Sequence, residues 1–262
     1  MKRPFKSVSF GSMLCFFALY PVLISGTHKT ASALDAGSTA TNILPPAVTV
    51  SVIPVIKSEE ELLQEEANAL YDSIGGKKYG LSPKAFACAF KGYKHLLEKK
   101  QLNKDDVLSI CDFSLSSRRK RMFVIDVEQK KLLVNTWVAH GRNSGGEYAR
   151  SFSNGMESHK SSLGFYVTRN TYYGEHGLAL KIKGLENGIN DKADERNIVI
   201  HGSEYVGAKY LRSNRVNGRS FGCPAVPKKD SDKVIQTIKG GTCLFIYHPT
   251  TKYLTKSKIL ND

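Results

Sequence analysis

The spacing of apolar residues changes near Arg121, and this change restricts the folds open to the chain. Before that point apolar residues recur about every three to four positions, which is the period of an amphipathic helix. After it they form short runs bounded by connections rich in glycine and asparagine, which is typical of β-strands. The sequence therefore predicts an α+β fold in which a helical part precedes a β-rich part.

Residues 58–109 carry the helical pattern. Ser58 and Glu61 form a capping box at the start of a first helix, and a pair of glycines ends that helix. A second helix starts at Ser82, with Pro83 at its first position. Its apolar stripe consists of Phe86, Phe90, Tyr93 and Leu97. Stripes at helical spacing indicate core packing rather than a binding groove, so 58–109 is predicted to form a helical cap on the residues that follow.

Residues 110–262 carry the β-rich pattern and are predicted to form one domain. Apolar runs at 122–127 and 132–139 flank a polar turn, and together they predict a hairpin. Further apolar runs predict strands at 163–168, 178–182, 197–200 and 243–247, and a short helix is predicted at 230–239.

The amino-terminal residues resemble an export signal. A basic start at Lys2, Arg3 and Lys6 precedes an apolar run over 8–24, and the small residues 31–33 follow. This order is typical of a cleaved secretory leader, so 1–33 is predicted to be a signal peptide. A retained membrane anchor is the alternative, but the run is short for a bilayer span and contains a proline. Residues 34–57, rich in Ser, Thr, Ala and Pro, are predicted to form a flexible linker.

The chain is strongly basic, with 38 Lys and Arg against 24 Asp and Glu. Four of the basic residues and none of the acidic ones lie in 1–33, which leaves a formal charge of +10 on the rest. Such a charge favours an anionic partner. No zinc-finger, helix-turn-helix or RNA-binding signature is present, so we expect a cell wall or membrane surface rather than a nucleic acid. No cofactor is expected either.

Four cysteines follow the predicted leader: Cys88, Cys111, Cys223 and Cys243. An oxidising compartment permits disulfides, and the sequence cannot choose among the possible pairings. A bond between Cys88 and Cys111 would leave Cys223 free, whereas buried free thiols are the other interpretation. The cysteines and histidines lack the spacings of known zinc motifs, so no metal site is predicted.

Two segments contain residues suited to nucleophilic catalysis. An apolar strand at 198–202 ends in His201 and Gly202, and Cys223 follows Gly222 further along the chain. A free thiol has a pKa of about 8.5, and a neighbouring imidazole can remove its proton to leave a strong nucleophile. Glycines allow close backbone approach and leave amide groups to face a reacting oxygen. A buried cysteine near a structural histidine is the alternative that these residues alone leave open.

The order His201-Gly202, then Ser220-Phe221-Gly222-Cys223, resembles the signature of the murein L,D-transpeptidase catalytic domain. The continuation to Gly-Cys-Pro-Ala-Val at 222–226 resembles one subgroup of that family. Upstream similarity extends over 138–141, 152–154 and 161–164, so the resemblance covers about 110–248. It implies that 110–262 is the catalytic domain of an L,D-transpeptidase.

The resemblance also implies roles for individual residues. Cys223 would attack the carbonyl of the third residue of a stem peptide, with His201 as its base. The carbonyl of Gly202 would orient the imidazole ring. The amides of Gly222 and Cys223 would stabilise the oxyanion, and Ser220 would line the substrate site.

The chemistry implied by the resemblance is that of an exported cysteine acyltransferase of the periplasm or cell envelope. Its partners would be peptidoglycan stem peptides and the anionic wall, with no stable membrane span after cleavage of the leader. An L,D-carboxypeptidase-type hydrolase and an inactive wall-binding relative are the alternatives, because both keep the same cleft.

The chain departs from the family at one position. Many members have an arginine soon after the cysteine, whereas this chain has Pro224-Ala225-Val226. Arg219 and Arg215 lie nearby in sequence and are the predicted substitutes in contacting substrate.

Two further histidines are weighed as site residues. His140 also precedes a glycine, but no Ser-x-Gly-Cys follows it closely, so His201 is preferred as the base. His176 lies in a polar turn and is predicted to contact substrate, with a solvated loop histidine as the alternative.

Overall fold

The computed structural model describes residues 57–262. The predicted signal peptide lies outside these residues, as does all of the predicted linker except Lys57. No helix within 57–262 combines the length and the apolar character that a membrane crossing requires.

Three helices open the described chain: α1 (Glu59–Ser73), α2 (Gly76–Tyr79) and α3 (Pro83–Glu98). The predicted capping box is present, because Glu61 N donates to Ser58 Oγ at 3.2 Å and Ser58 N donates to the Glu61 carboxylate at 2.8 Å. Ser82 caps α3, and Pro83 occupies the first turn. The predicted starts of both longer helices are therefore confirmed.

Helix α3 packs against the sheet through one apolar face. Phe86, Phe90, Tyr93 and Leu96 are buried, whereas Leu97, predicted to be part of the stripe, is only half-buried. A side chain at Gly92 would collide with the ring of Phe165, so glycine permits the close contact between helix and sheet. Helix and strand residues share one hydrophobic core.

The described chain contains one mixed eight-stranded sheet, in the order β3-β2-β1-β8-β4-β5-β6-β7. Its strands are β1 (Val107–Asp112), β2 (Met122–Asp126), β3 (Lys131–Thr136), β4 (Gly164–Gly174), β5 (Gly177–Gly184), β6 (Val199–Ser203), β7 (Ala225–Pro227) and β8 (Cys243–Tyr247). Strands β1 and β8 pair in parallel, as do β6 and β7, and the other pairs are antiparallel. Helices and a mixed sheet confirm the predicted α+β class.

Four short helices complete the fold: α4 (Ala208–Leu211), α5 (Lys228–Ile238), α6 (Thr251–Lys256) and α7 (Lys258–Asn261). The predicted hairpin is present as β2 and β3, and the predicted helix at 230–239 is present as α5. Strand β1 crosses the predicted boundary between 109 and 110 and lies between β2 and β8, inside the sheet. Strands β5, β6 and β7, together with α5, hold the residues of the candidate site.

Candidate active site

His201 is held by its own strand and by the next residue. Ile200, beside it in β6, is fully buried in the core, and this fixes the strand. His201 Nδ1 lies 3.1 Å from the Gly202 carbonyl oxygen. Because a carbonyl only accepts hydrogen bonds, Nδ1 carries the proton and Nε2 is left as the proton acceptor of the neutral ring. This is the arrangement that a general base requires.

Gly202 also permits the close packing of α5 behind the histidine. A Cβ at this position would lie 2.6 Å from Ser231 Oγ, which is too close for any side chain. The glycine therefore lets α5 approach β6 and leaves its carbonyl directed at the imidazole ring.

The surroundings of His201 favour its neutral form. Its ring stacks on that of His176, with the centroids 4.5 Å apart and the planes inclined by 22°. Lys228 Nζ donates to the His176 carbonyl at 2.8 Å, which ties the tip of the β4–β5 hairpin to α5. Burial lowers the pKa of His201, the hydrogen bond to Gly202 opposes this shift, and His176 and Lys228 reinforce it. At neutral pH the ring is therefore in its neutral form, with Nε2 unprotonated.

Cys223 and His201 line the same cavity, and this cavity has a volume of about 390 Å³. The half-buried Cys223 thiol accepts a hydrogen bond from Val199 N at 3.5 Å and donates to the Asn197 carbonyl at 3.7 Å. Burial raises the pKa of the thiol, and the Val199 amide and the nearby Arg196 charge oppose this shift. The thiol thus needs a base to react at neutral pH. Within residues 57–262 no hydrogen bond joins it to His201.

The turn that presents Cys223 is held by hydroxyl groups. Ser220 Oγ donates to the Cys223 carbonyl at 2.6 Å and accepts from Gly222 N at 3.1 Å. Gly222 has a φ of 128°, and a Cβ there would lie 2.9 Å from the Lys160 carbonyl oxygen, so the position requires glycine. Ser161 Oγ donates to the Gly222 carbonyl at 3.2 Å.

The Ser220 hydroxyl is therefore hydrogen-bonded to two backbone groups of the turn, the Cys223 carbonyl and the Gly222 amide. The Gly222 amide, implied by the family resemblance to be an oxyanion donor, donates to Ser220 Oγ. To be bound by the Gly222 amide, a substrate oxyanion would have to displace the Ser220 hydroxyl. Otherwise the Cys223 amide would be the donor.

The sequence profile of the L,D-transpeptidase catalytic domain family matches residues 77–247. This chain belongs to that family. The resemblance carried by the segments at 201–202 and 220–226 is confirmed. No curated protein sequence gives a significant match.

Solved L,D-transpeptidase structures resemble parts of the chain. An L,D-transpeptidase from Mycobacterium smegmatis is 10% identical, with a TM-score of 0.34 over 55% of this chain and 59% of that one. An L,D-transpeptidase from Mycobacterium tuberculosis is 13% identical, with a TM-score of 0.32 over 55% and 58%. The helical cell shape determining protein Pgp2 from Campylobacter jejuni is 17% identical, with a TM-score of 0.34 over 63% and 56%. The chain thus spans less than two thirds of each.

The second His-Gly pair of this family member has a different environment. His140 is fully buried, and Arg121 donates to its Nδ1 from Nη2 at 2.7 Å. Because a guanidinium only donates, Nδ1 is the acceptor and Nε2 carries the proton, directed at the Gly145 carbonyl oxygen 3.4 Å away. Burial and the Arg121 charge lower the pKa of His140 to about 3. His140 does not line the Cys223 cavity, and its carbonyl accepts from Ser220 N at 3.0 Å, so it supports the turn that presents Cys223.

The structure places the predicted substitutes for the family arginine at different sites. Arg219 lines the Cys223 cavity, and its Nη1 donates to the Gly145 carbonyl at 3.1 Å. Arg215 is exposed and does not line the cavity. His176 and Ser220, both predicted to contact substrate, line it as well.

Arg196 is a site residue that sequence reasoning missed. Its guanidinium donates to the Ser153 carbonyl at 2.9 Å and to the Lys160 carbonyl at 2.5 Å, and its charge opposes the raised pKa of Cys223. A single arginine in a polar loop gives no sequence signal, because only the tertiary contacts bring it close to Cys223. Tyr172 and Tyr205 also line the cavity and were not predicted.

Neither a disulfide nor a metal-binding cluster is present within residues 57–262. Cys88, Cys111, Cys223 and Cys243 are all free thiols, so the structure has the second of the two interpretations of Cys88 and Cys111. No group of three His, Cys, Asp or Glu side chains in this part of the chain is placed to hold a metal ion.

Proposed function

We propose that this chain is an exported cysteine acyltransferase, a murein L,D-transpeptidase acting on peptidoglycan stem peptides. Cys223 is the nucleophile and His201 is its base. One observation carries the proposal: His201 and Cys223 line one cavity, and the hydrogen bond to Gly202 leaves His201 Nε2 as the proton acceptor. Membership of the family supports the substrate class.

Acylation begins with transfer of the Cys223 proton to His201 Nε2. The thiolate attacks the carbonyl carbon of the third residue of the stem peptide, and the carbonyl oxygen becomes an oxyanion. The C–N bond then breaks, and His201 returns the proton to the leaving amine. A thioester on Cys223 remains. Because the thiol is half-buried and its pKa is raised, proton removal by the imidazole rather than a pre-formed thiolate fits the site.

Deacylation uses the same residues in reverse. An amine of a second stem peptide attacks the thioester carbonyl, His201 accepts its proton, and the new amide forms as Cys223 recovers a thiol. Water in place of the amine gives hydrolysis. The formal charge of +10 outside 1–33 supports the anionic wall as the surface on which this occurs.

Export belongs to the same proposal, and the leader-like order of 1–33 supports it. The chain isolated from its native cell envelope should begin near Leu34. Amino-terminal sequencing that recovers an intact leader would contradict this part of the proposal.

The test of the reaction uses the purified chain from residue 34 onward and stem peptides of four residues. We expect mass analysis to show cross-linked dimers together with release of the fourth residue, and the C223A variant should yield neither. Release without dimers would identify the hydrolase. Release of nothing by a folded wild-type chain would favour the inactive wall-binding relative.

A further inference from the structure

A second cavity adjoins the one that contains Cys223. Its volume is about 510 Å³, and the two cavities share the wall residues Tyr172, Asn197 and Val199. The Val199 amide donates to Cys223 Sγ, and the Asn197 carbonyl accepts from it. Two of the three shared residues, Asn197 and Val199, therefore contact Cys223, so the second cavity lies directly beside the nucleophile.

The register of the sheet places a lysine on the same face as the catalytic histidine. Ala179 of β5 lies opposite His201, and Lys181 lies opposite Val199. Cross-strand partners in a sheet point to the same face, and alternate residues along a strand do so too. The Cα atoms of Ala179 and Lys181 are thus about 7 Å apart along β5. Lys181 thus lies on the strand next to that of His201, on the same face and two residues beyond the partner of His201.

Two cations and one carboxylate line the second cavity. Arg169 and Lys181 are exposed, and the carboxylate is that of Asp194. Lys181 Nζ lies 5.7 Å from the centroid of the Tyr172 ring, which directs it along the shared wall. The balance of charge in this cavity is positive, so it favours an anionic group.

The other cations around the site already have acceptors. Arg196 donates to the carbonyls of Ser153 and Lys160, Arg219 donates to that of Gly145, and Lys228 donates to that of His176. In contrast, the side chains of Arg169 and Lys181 have neither a hydrogen-bond acceptor nor an ion-pair partner within residues 57–262. Their donors remain available to a ligand.

We propose that Arg169 and Lys181 form a carboxylate-binding subsite for the peptide that reacts at Cys223. A guanidinium can bind a carboxylate with two parallel hydrogen bonds, and an ammonium adds a point charge. Pro224 follows Cys223 directly and carries no charge, so the positive charge of this subsite comes from β4 and β5 instead. The subsite rests on the proposed function in one respect, namely that the cavity at Cys223 accepts peptides.

The test compares two alkylating reagents of nearly equal size, bromoacetylglycine and bromoacetylglycinamide. In each reaction the Cys223 sulfur forms a bond to the CH₂ carbon, the C–Br bond breaks and bromide leaves. The ratio of the two rates cancels any change in thiol reactivity and reports only the response to the carboxylate. Alkylation of N-acetylcysteinamide, a neutral thiol added to the same solution, is the internal reference.

We expect wild-type Cys223 to prefer the carboxylate reagent by about threefold, the size of a solvent-exposed ion pair. K181M and R169Q should each lower the preference, and so should high salt, because it screens exposed charges. The matched control is K183M, since Lys183 is exposed on the same strand but does not line this cavity. A wild-type ratio equal to that of the neutral thiol, or equal losses in K183M and K181M, would overturn the subsite.

A second measurement keeps the subsite testable if the thiol proves unreactive. In the C223A protein, NMR titration compares binding of N-acetylglycylglycine with binding of its amide. A preference for the carboxylate that is lost in the K181M background supports the subsite. Equal binding of the two peptides, or binding of neither, overturns it. Neither measurement requires turnover, so a failure of the proposed function and a failure of the subsite are distinguishable.

Discussion

Lowering the pH from 7 to 4 should destabilise the fold, and His140 should make a large contribution to the loss. This histidine is fully buried beside the Arg121 guanidinium, and its pKa is lowered to about 3 from an ordinary value of 6.5. The unfolded chain therefore binds a proton below about pH 6.5 that the folded chain does not bind until about pH 3. Stability from this source is complete above pH 6.5 and is lost as the pH falls toward 3.

The magnitude follows from the two pKa values. At pH 4 His140 is almost fully protonated in the unfolded chain and about one-tenth protonated in the folded chain, which lowers the free energy of unfolding by about 3 kcal/mol. Whole domains have about 5–15 kcal/mol, so the loss is a large fraction of the total. Urea titrations at pH 7 and pH 4 measure it.

The matched variant for this prediction is H140N. The asparagine Oδ1 can accept from Arg121 where Nδ1 does now, and the side chain has no ionisable proton in this range. Its loss of stability between pH 7 and pH 4 should be smaller than that of the wild type by about 3 kcal/mol. Because all carboxylates are common to both proteins, their titration cancels in the comparison. Equal losses in the two proteins would refute the assignment of His140 as a buried neutral ring.

Three further outcomes are expected. G222A should lower the free energy of unfolding by about 1–3 kcal/mol, because the position has a positive φ and no room for a Cβ, and urea titration would measure this; an unchanged midpoint would contradict it. S220A should slow acylation of the cysteine in a labelling assay while the protein stays folded, because the turn loses two hydrogen bonds; a wild-type rate would contradict that role. Deleting 58–100 should lower the thermal midpoint far more than deleting 34–57, because α1 and α3 cover the core; equal midpoints would exclude a cap.

The elements that the sequence predicts well are those with local signals. The capping box at Ser58 and the proline at 83 are signals that need only a few neighbouring residues, and helices start at both places in the structure. Strand β1 was missed, because Ser109 and Asp112 interrupt its apolar run although both are buried. Its place in the sheet comes from parallel pairing with β8, far away in sequence. Long-range pairing of this kind leaves no periodic signal.

The residues of the candidate site also differ in whether the sequence alone identifies them. His201 and Cys223 stand in a motif whose order along the chain carries the information. Arg121, which is fully buried and donates to His140 Nδ1, gives no such signal, because it stands in the basic run 118–121 and such runs are usually solvated. Lys181 likewise gives no sequence signal, because only the pairing of β5 with β6 brings it near His201.

The most direct test of the central proposal is the site and rate of acylation by a carbapenem. The thiolate attacks the β-lactam carbonyl, the ring C–N bond opens, and a thioester results, which mass analysis can locate. We expect the adduct on Cys223, and H201A should form it about 10²–10⁴-fold more slowly at neutral pH, with partial recovery as hydroxide forms thiolate at high pH. H140N should show no such pH-dependent recovery. An adduct on another cysteine, no adduct at all, or a wild-type rate in H201A would contradict the assignment of Cys223 and His201 as nucleophile and base.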